Sequence, residues 1–302
     1  MAGAHGGRGR RGGPVVAGVA PDTARRAAPA WAVDEAARRR VPLLLVHAQG
    51  TPTGGYRKTD VRPSWEQWNQ ALHEAGDRVL GEAVAFAETR RPEAEVSGLL
   101  AEGDPAWVLR EQARDASAVV LGSSHLSRVQ EVFSSASVAL PVIAHSPCPV
   151  IVVPEREHTA ADPPYFVVGV DGSPQSAAAV AFAFEEAALH GAALRAVYAW
   201  WRPEEPGIRD EQAAEQEGRA VLAAATAEPA AARPGVELEH AVVRGHPVEV
   251  LAEASEKALG LVVGTRGHGG FTGMLLGSVS QGVLRHARCP VIAVPHAGAR
   301  SG

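Results

Sequence analysis

Short unbroken apolar runs alternate along the chain with longer stretches in which apolar residues recur every three or four positions. The runs are PVVAGVA (14–20), VPLLLVHAQ (41–49), SAVVLGSS (117–124) and SPCPVIVVP (146–154), then YFVVGVD (165–171), AALRAVYAW (192–200), LGLVVGTR (259–266) and ARCPVIAVP (287–295). Runs of Val, Ile and Leu without polar alternation predict parallel strands covered on both faces. The intervening AAPAWAVDEAARRR (27–40) and AAAVAFAFEEAALHG (177–191) have helical periodicity. Ser173-Pro174 predicts an N-cap followed by proline at the first helical position, and Gly191 predicts a helix C-terminus. The Ala-rich stretch 213–232, with Pro229 and Pro234 near its end, predicts a further helix. Strands alternating with helices on short connections predict a doubly wound α/β architecture.

The pattern occurs twice. An offset of 151 residues carries Ala20 to Asp171 and Ala48 to Ala199; at Pro105 and Pro247 it is 142, and at Cys148 and Cys289 it is 141. The first copy therefore holds an insertion, assigned to the Gly/Pro/Thr-rich stretch 49–65 (QGTPTGGYRKTDVRPSW). The expected domains are residues 14–154 and 165–296, joined by a polar, proline-rich linker at 155–164. A Gly/Arg-rich tail (1–13) and a short tail (297–302) flank them, and the first is expected to be disordered.

The chain has 302 residues, a net charge of −5 and 46% hydrophobic residues, the composition of an ordinary globular protein of two domains. A negative net charge argues against nonspecific nucleic-acid binding. No apolar run reaches the roughly 18–20 residues that span a bilayer, and the opening MAGAHGGRGRRGG lacks the apolar core of a signal peptide, so the expectation is a cytoplasmic protein without a membrane partner. Cys148 and Cys289 are repeat-equivalent positions before a strand and are expected to pack in the core.

In a doubly wound sheet, ligands bind beyond the carboxyl ends of the strands, where the winding direction reverses. In the second copy those ends carry Asp171, Ala199-Trp200, Gly245-His246-Pro247 and GTRGHGGFTGMLLGS (264–278). The last segment is glycine-rich and leads into a helix at Gly277-Ser278-Val279-Ser280. Glycines let backbone N–H groups approach a phosphate, and a helix start adds unsatisfied donors and positive dipole. Ser278 and Ser280 add hydroxyl donors. A lysine-bearing P-loop is absent, for neither Lys58 nor Lys257 follows a glycine. The first strand ends in GVDGSPQS, without a dinucleotide fingerprint. No nucleophile elbow, metal-ligand spacing or flanking carboxylate pair is present. The residues thus describe a phosphate-binding site without an evident general base or nucleophile.

At these residues the chain resembles the universal stress protein family in its tandem two-domain form. The family motif is glycine, two residues, glycine, nine residues, glycine, then serine or threonine; Gly264, Gly267, Gly277 and Ser278 match it in full. The resemblance implies two flavodoxin-like (adenine nucleotide alpha hydrolase-like) domains, each a five-stranded parallel sheet of order 3-2-1-4-5 with helices on both faces. It implies ATP, accompanied by Mg or Mn, held by Gly169, Val170, Asp171, Ala199, Val263, Gly264, Arg266, Gly267, Gly277, Ser278, Val279 and Ser280. Asp171 would contact the nucleotide near its ribose and metal-bound phosphates, and Ala199 would meet the adenine through its backbone. The two copies would pair within the chain as a pseudo-dimer, and a homodimer is open as well.

The first copy departs from the motif. Ala20 replaces the aspartate, the loop reads Gly122-Ser123-Ser124-His125, and Ala136-Ser137 stands where glycine-serine belongs. Val129, Glu131 and Phe133 occupy the loop where backbone would need to approach a phosphate. The expectation is a regulatory protein that holds ATP in its second copy and hydrolyses it slowly or not at all. The alternative is a nucleotide-independent dimerisation or interaction scaffold, to which the insertion's Tyr56, Trp65 and Trp68 would contribute a partner surface. Residues 202–212 would form a lid or exposed loop beside the site.

Overall fold

The computed structural model describes residues 12–22, 25–49, 65–123, 138–156, 158–200, 211–267 and 276–296. Most of the N-terminal tail, the C-terminal tail, Tyr56 with most of the insertion, and the first-copy loop at 124–137 lie outside the described residues, as do residues 201–210 and the side chains of Trp65 and Trp68.

The first copy runs β1 (Val15–Gly18), α1 (Ala27–Arg39), β2 (Leu43–Gln49), α2 (Trp65–Arg90), β3 (Val96–Glu102), α3 (Pro105–Gln112), β4 (Ala118–Gly122), α4 (Ala139–His145) and β5 (Val150–Val153). The second repeats it as β6 (Tyr165–Gly169), α5 (Pro174–His190), β7 (Ala193–Trp200), α6 (Glu211–Ala232), β8 (Leu238–Arg244), α7 (Pro247–Ala254), β9 (Gly260–Gly264), α8 (Ser278–His286) and β10 (Val291–Val294). Each copy has the strand order 3-2-1-4-5, all parallel.

The two sheets are one. β5 and β10 pair antiparallel, with Val152 opposite Val291, Ile151 opposite Ile292 and Val150 opposite Ala293. The result is a ten-stranded sheet, β3-β2-β1-β4-β5-β10-β9-β6-β7-β8, with a pseudo-two-fold axis at its centre. This pairing removes an exposed apolar edge from each copy. Two hydrophobic layers cover the sheet, and each runs through both copies. One contains residues of α3, α4, α7 and α8; the other contains residues of α1, α2, α5 and α6. Cys148 and Cys289 are free and buried, and burial pushes the Cys289 thiol up to about 11.

Not every strand is an unbroken apolar run. The outermost strands β3 and β8 are partly exposed, at Ser97-Gly98 and at Glu239-His240 among other residues, and each has a neighbour on one side only. The helix ends follow their local chemistry. The Ser173 hydroxyl accepts from the Ser176 N–H at 3.1 Å, and Gly191 closes α5 in the left-handed region at φ 60°. α1 closes the same way, but with Arg40 at φ 54°.

Candidate functional site

β6, β7 and β9 end side by side, so the residues that follow them share one crevice. β6 delivers Gly169, Val170 and Asp171. The Ser173 N–H donates to Asp171 Oδ1 at 2.9 Å, which fixes the carboxylate at the mouth of α5. β7 brings Ala199, and β9 brings Val263 and Gly264. Ser280, in the first turn of α8, donates its hydroxyl to the Gly264 carbonyl at 2.7 Å and ties that helix start to the strand end. Gly277 is the N-cap of α8, and its N–H donates to the Thr265 carbonyl at 2.9 Å.

These elements enclose a cavity of about 410 Å³ lined by every one of the twelve residues expected from the sequence. Ser280 is the one whose role differs from expectation. Its buried hydroxyl hydrogen is committed to Gly264, so it braces the loop, while Ser278 stands exposed at the first helical position. The first N–H groups of α8 have no acceptor within the helix and border the cavity, where the dipole favours an anion. Among the described residues, Asp171 is the single carboxylate and Arg266 the single permanent cation on the wall.

Approach distances set two of the motif glycines apart. A Cβ on Gly267 would sit 2.4 Å from Asp171 Oδ2, and one on Gly264 would meet the Gln175 and Arg266 carbonyls at 3.0 and 3.1 Å. At Gly277 the nearest atom would be 3.4 Å away, so the protein alone does not exclude a side chain there. Sequence reasoning missed Ser176, Val197, Leu251 and Leu276 on the same wall. Apart from the buried Ser176 they are ordinary core residues, and only the fold shows that they border a cavity. A second hollow of about 360 Å³, lined by Tyr198, Trp200, Glu217 and His246, adjoins the first and shares Ala199, Pro247, Ser278 and Val279 with it.

The corresponding end of the first copy is built differently. Ala20 leaves no carboxylate after β1. Leu121 takes the place of Val263 and packs so close that a Cβ on Gly18 would lie 3.0 Å from it. Arg25 takes the place of Ser176 and pairs with Asp22 at 2.9 Å. Glu155 folds over the end of β4, its carboxylate 2.6 Å from where a Gly122 Cβ would be. Burial pushes the Glu155 carboxyl up; Arg25 opposes the shift and Asp22 adds to it.

The sequence profile of the Universal stress protein family matches residues 13–154 and 166–295. A universal stress protein of Mycobacterium tuberculosis is 34% identical over 286 residues, covering 92% of this chain and 95% of its own. A universal stress protein of Mycolicibacterium smegmatis is 31% identical over 290 residues, with coverage of 93% and 96%. The crystal structure of a universal stress protein from Archaeoglobus fulgidus has the same fold, with a TM-score of 0.69 at 20% identity over 93% of this chain and 96% of that one. No helix among the described residues is long and apolar enough to cross a membrane. The two profile matches, one for each half of a continuous ten-stranded sheet, establish that the chain belongs to the universal stress protein family in its tandem form.

Proposed function

We propose that the second copy binds ATP with Mg or Mn, and that the chain is a regulatory protein whose conformation or contacts follow nucleotide occupancy. One observation carries this reading: Asp171, Arg266, three motif glycines and the amino end of α8 line a single cavity of about 410 Å³. The motif glycines leave room for a phosphate to approach the backbone and the start of α8, and the apolar wall formed by Val170, Val197, Val263 and Leu276 suits a nucleoside. In this reading Asp171 faces the metal-bound phosphates. Hydrolysis is slow or absent in this reading, because among the described residues the wall holds no histidine, lysine or cysteine and its carboxylate, Asp171, is tied to the α5 turn. The first copy serves as the structural partner that completes the sheet.

Calorimetric titration of the full chain with ATP and Mg tests the proposal. Saturable binding that Asp171→Ala weakens by about 30-fold or more supports it, on the order of 2 kcal/mol. No saturable heat, or binding indifferent to Asp171→Ala, overturns it. The former result would favour the scaffold reading, in which the β5–β10 joint is the functional part.

A further inference from the structure

Helices α1 and α5 meet beside the pseudo-two-fold axis, and the 151-residue offset pairs Glu35 with Glu186 and Arg39 with His190. The four side chains form one cluster. Both glutamates are 0% exposed. Arg39 Nε donates to Glu35 Oε1 at 2.5 Å, and its terminal nitrogen donates to Glu186. His190 Nε2 lies 3.1 Å from Glu35 Oε2 and 3.7 Å from Glu186 Oε2. Phe166 stands edge-on to the imidazole, and Phe182 lies under the guanidinium, so the surroundings are apolar.

The permanent charges do not balance. Two buried carboxylates face one partly buried guanidinium, and an uncompensated buried charge is strongly unfavourable. Identical copies would bring two arginines; here His190 replaces the second. Arg38 is exposed, with its nearest nitrogen 3.9 Å from Glu35, and stays at the rim. The other charged neighbours have partners: Asp34 with Arg90 and Arg91, and Glu185 with Arg233 beyond α6. Glu155, Arg156 and His158 of the linker line a cavity of about 400 Å³ with His190, Asp34, Arg38 and Arg90, and this cavity joins the cluster to solvent. Glu186 Oε2 accepts no hydrogen bond.

We propose that this cluster is a single-proton site that fastens the two copies together: one proton, held at Glu186, completes the charge balance, and its loss loosens the α1–α5 seam. Burial and the nearby Glu35 charge push the Glu186 carboxyl well above the usual glutamate range. Burial also pushes Glu35 upward, but His190 and Arg39 outweigh it and hold Glu35 below its ordinary value. For Glu186, stability is fully present below the ordinary glutamate value and is lost as pH rises through its folded value. For Glu35, stability is present above the ordinary value and lost as pH falls through its folded value. The seam is therefore firmest at mildly acidic pH and weakens toward alkaline pH. Arg39 bonds Oε1 of both glutamates and already supplies one positive charge, so one proton completes the balance where a divalent cation would leave an excess.

Thermal melting of the full chain at about pH 6 and about pH 8.5 tests the proposal. Glu186→Gln fixes the neutral form in nearly the same shape. It should match the wild type near pH 6 and exceed it by about 3 °C or more near pH 8.5. His190→Arg, which supplies a second permanent charge, should flatten the pH dependence in the same way. Amide exchange in α1 and α5, corrected for intrinsic rates, should accelerate at alkaline pH in the wild type but not in Glu186→Gln. If both variants retain the wild-type pH dependence, the proposal is overturned. It is also overturned if Zn(II) raises the wild-type melting temperature and neither variant responds, which would assign the cluster to a metal.

Discussion

The two copies have the same strand order and the same helix placement, yet the carboxyl ends of their sheets differ. In the second copy, Asp171, Ser176, Val263 and Gly267 surround a cavity. In the first, Ala20 lacks the carboxylate, while Arg25, Leu121 and Glu155 occupy equivalent or adjacent space. The sheet interiors remain alike, because Val, Ile and Leu there answer to packing against both helical layers. The strand ends are free of that requirement, so they can diverge without changing the fold. In a tandem protein one copy can then keep a ligand site while the other supplies only surface and sheet.

The largest expected effect is at Gly267. Gly267→Val forces a side chain onto the Asp171 carboxylate and across the phosphate approach. It should weaken ATP binding by about 100-fold or more in calorimetry, equivalent to about 2.7 kcal/mol, while the melting temperature changes little. Undiminished binding would separate the loop from the site.

A second pair of variants compares the ends of β9 and β4. Gly264→Ala places a Cβ against two backbone carbonyls that cannot rotate away, whereas Gly122→Ala meets only the end of the Glu155 side chain. Urea melts should show a loss of about 1–3 kcal/mol for the first and less than about 1 kcal/mol for the second. Equal losses would mean that the two strand ends are packed alike.

The helix ends offer a smaller contrast in the other direction. Arg40 occupies the left-handed conformation that Gly191 adopts in the second copy. Arg40→Gly should raise stability by about 0.5–1 kcal/mol, read as a small increase in melting temperature. A decrease would show that the Arg40 side chain contributes more than its backbone conformation takes away. Smallest of all is the graft Ala20→Asp with Leu121→Val, which restores a carboxylate and some space. It should add no second ATP site by calorimetry, because Arg25 and Glu155 remain and the loop at 122–137 lacks the glycine spacing.

Much of this difference was legible in the sequence, because the motif glycines, Asp171 and the α8 start stand at recognisable distances from apolar runs. The interior strands were legible for a related reason: burial on both faces writes itself as uninterrupted Val, Ile and Leu. β3 and β8 were less so, since a strand at the sheet edge is partly exposed and carries polar residues such as Ser97, Glu102, Glu239 and His240. The β5–β10 joint left no local trace. VIVV and VIAV read as buried strands whichever neighbour covers them. The wall residues Val197, Leu251 and Leu276 were hidden because a residue beside a cavity and a residue in the core have the same chemistry. The Glu35–Glu186 cluster was visible only as a repeated acidic pair; its meaning depends on two helices meeting across the axis.

The central claim is that the two copies are unequal in binding. Native mass spectrometry of the full chain with saturating ATP and Mg measures this directly, by counting nucleotides per chain. One bound nucleotide, lost in Asp171→Ala, is the predicted result. Two per chain, or one that persists in Asp171→Ala, would contradict it.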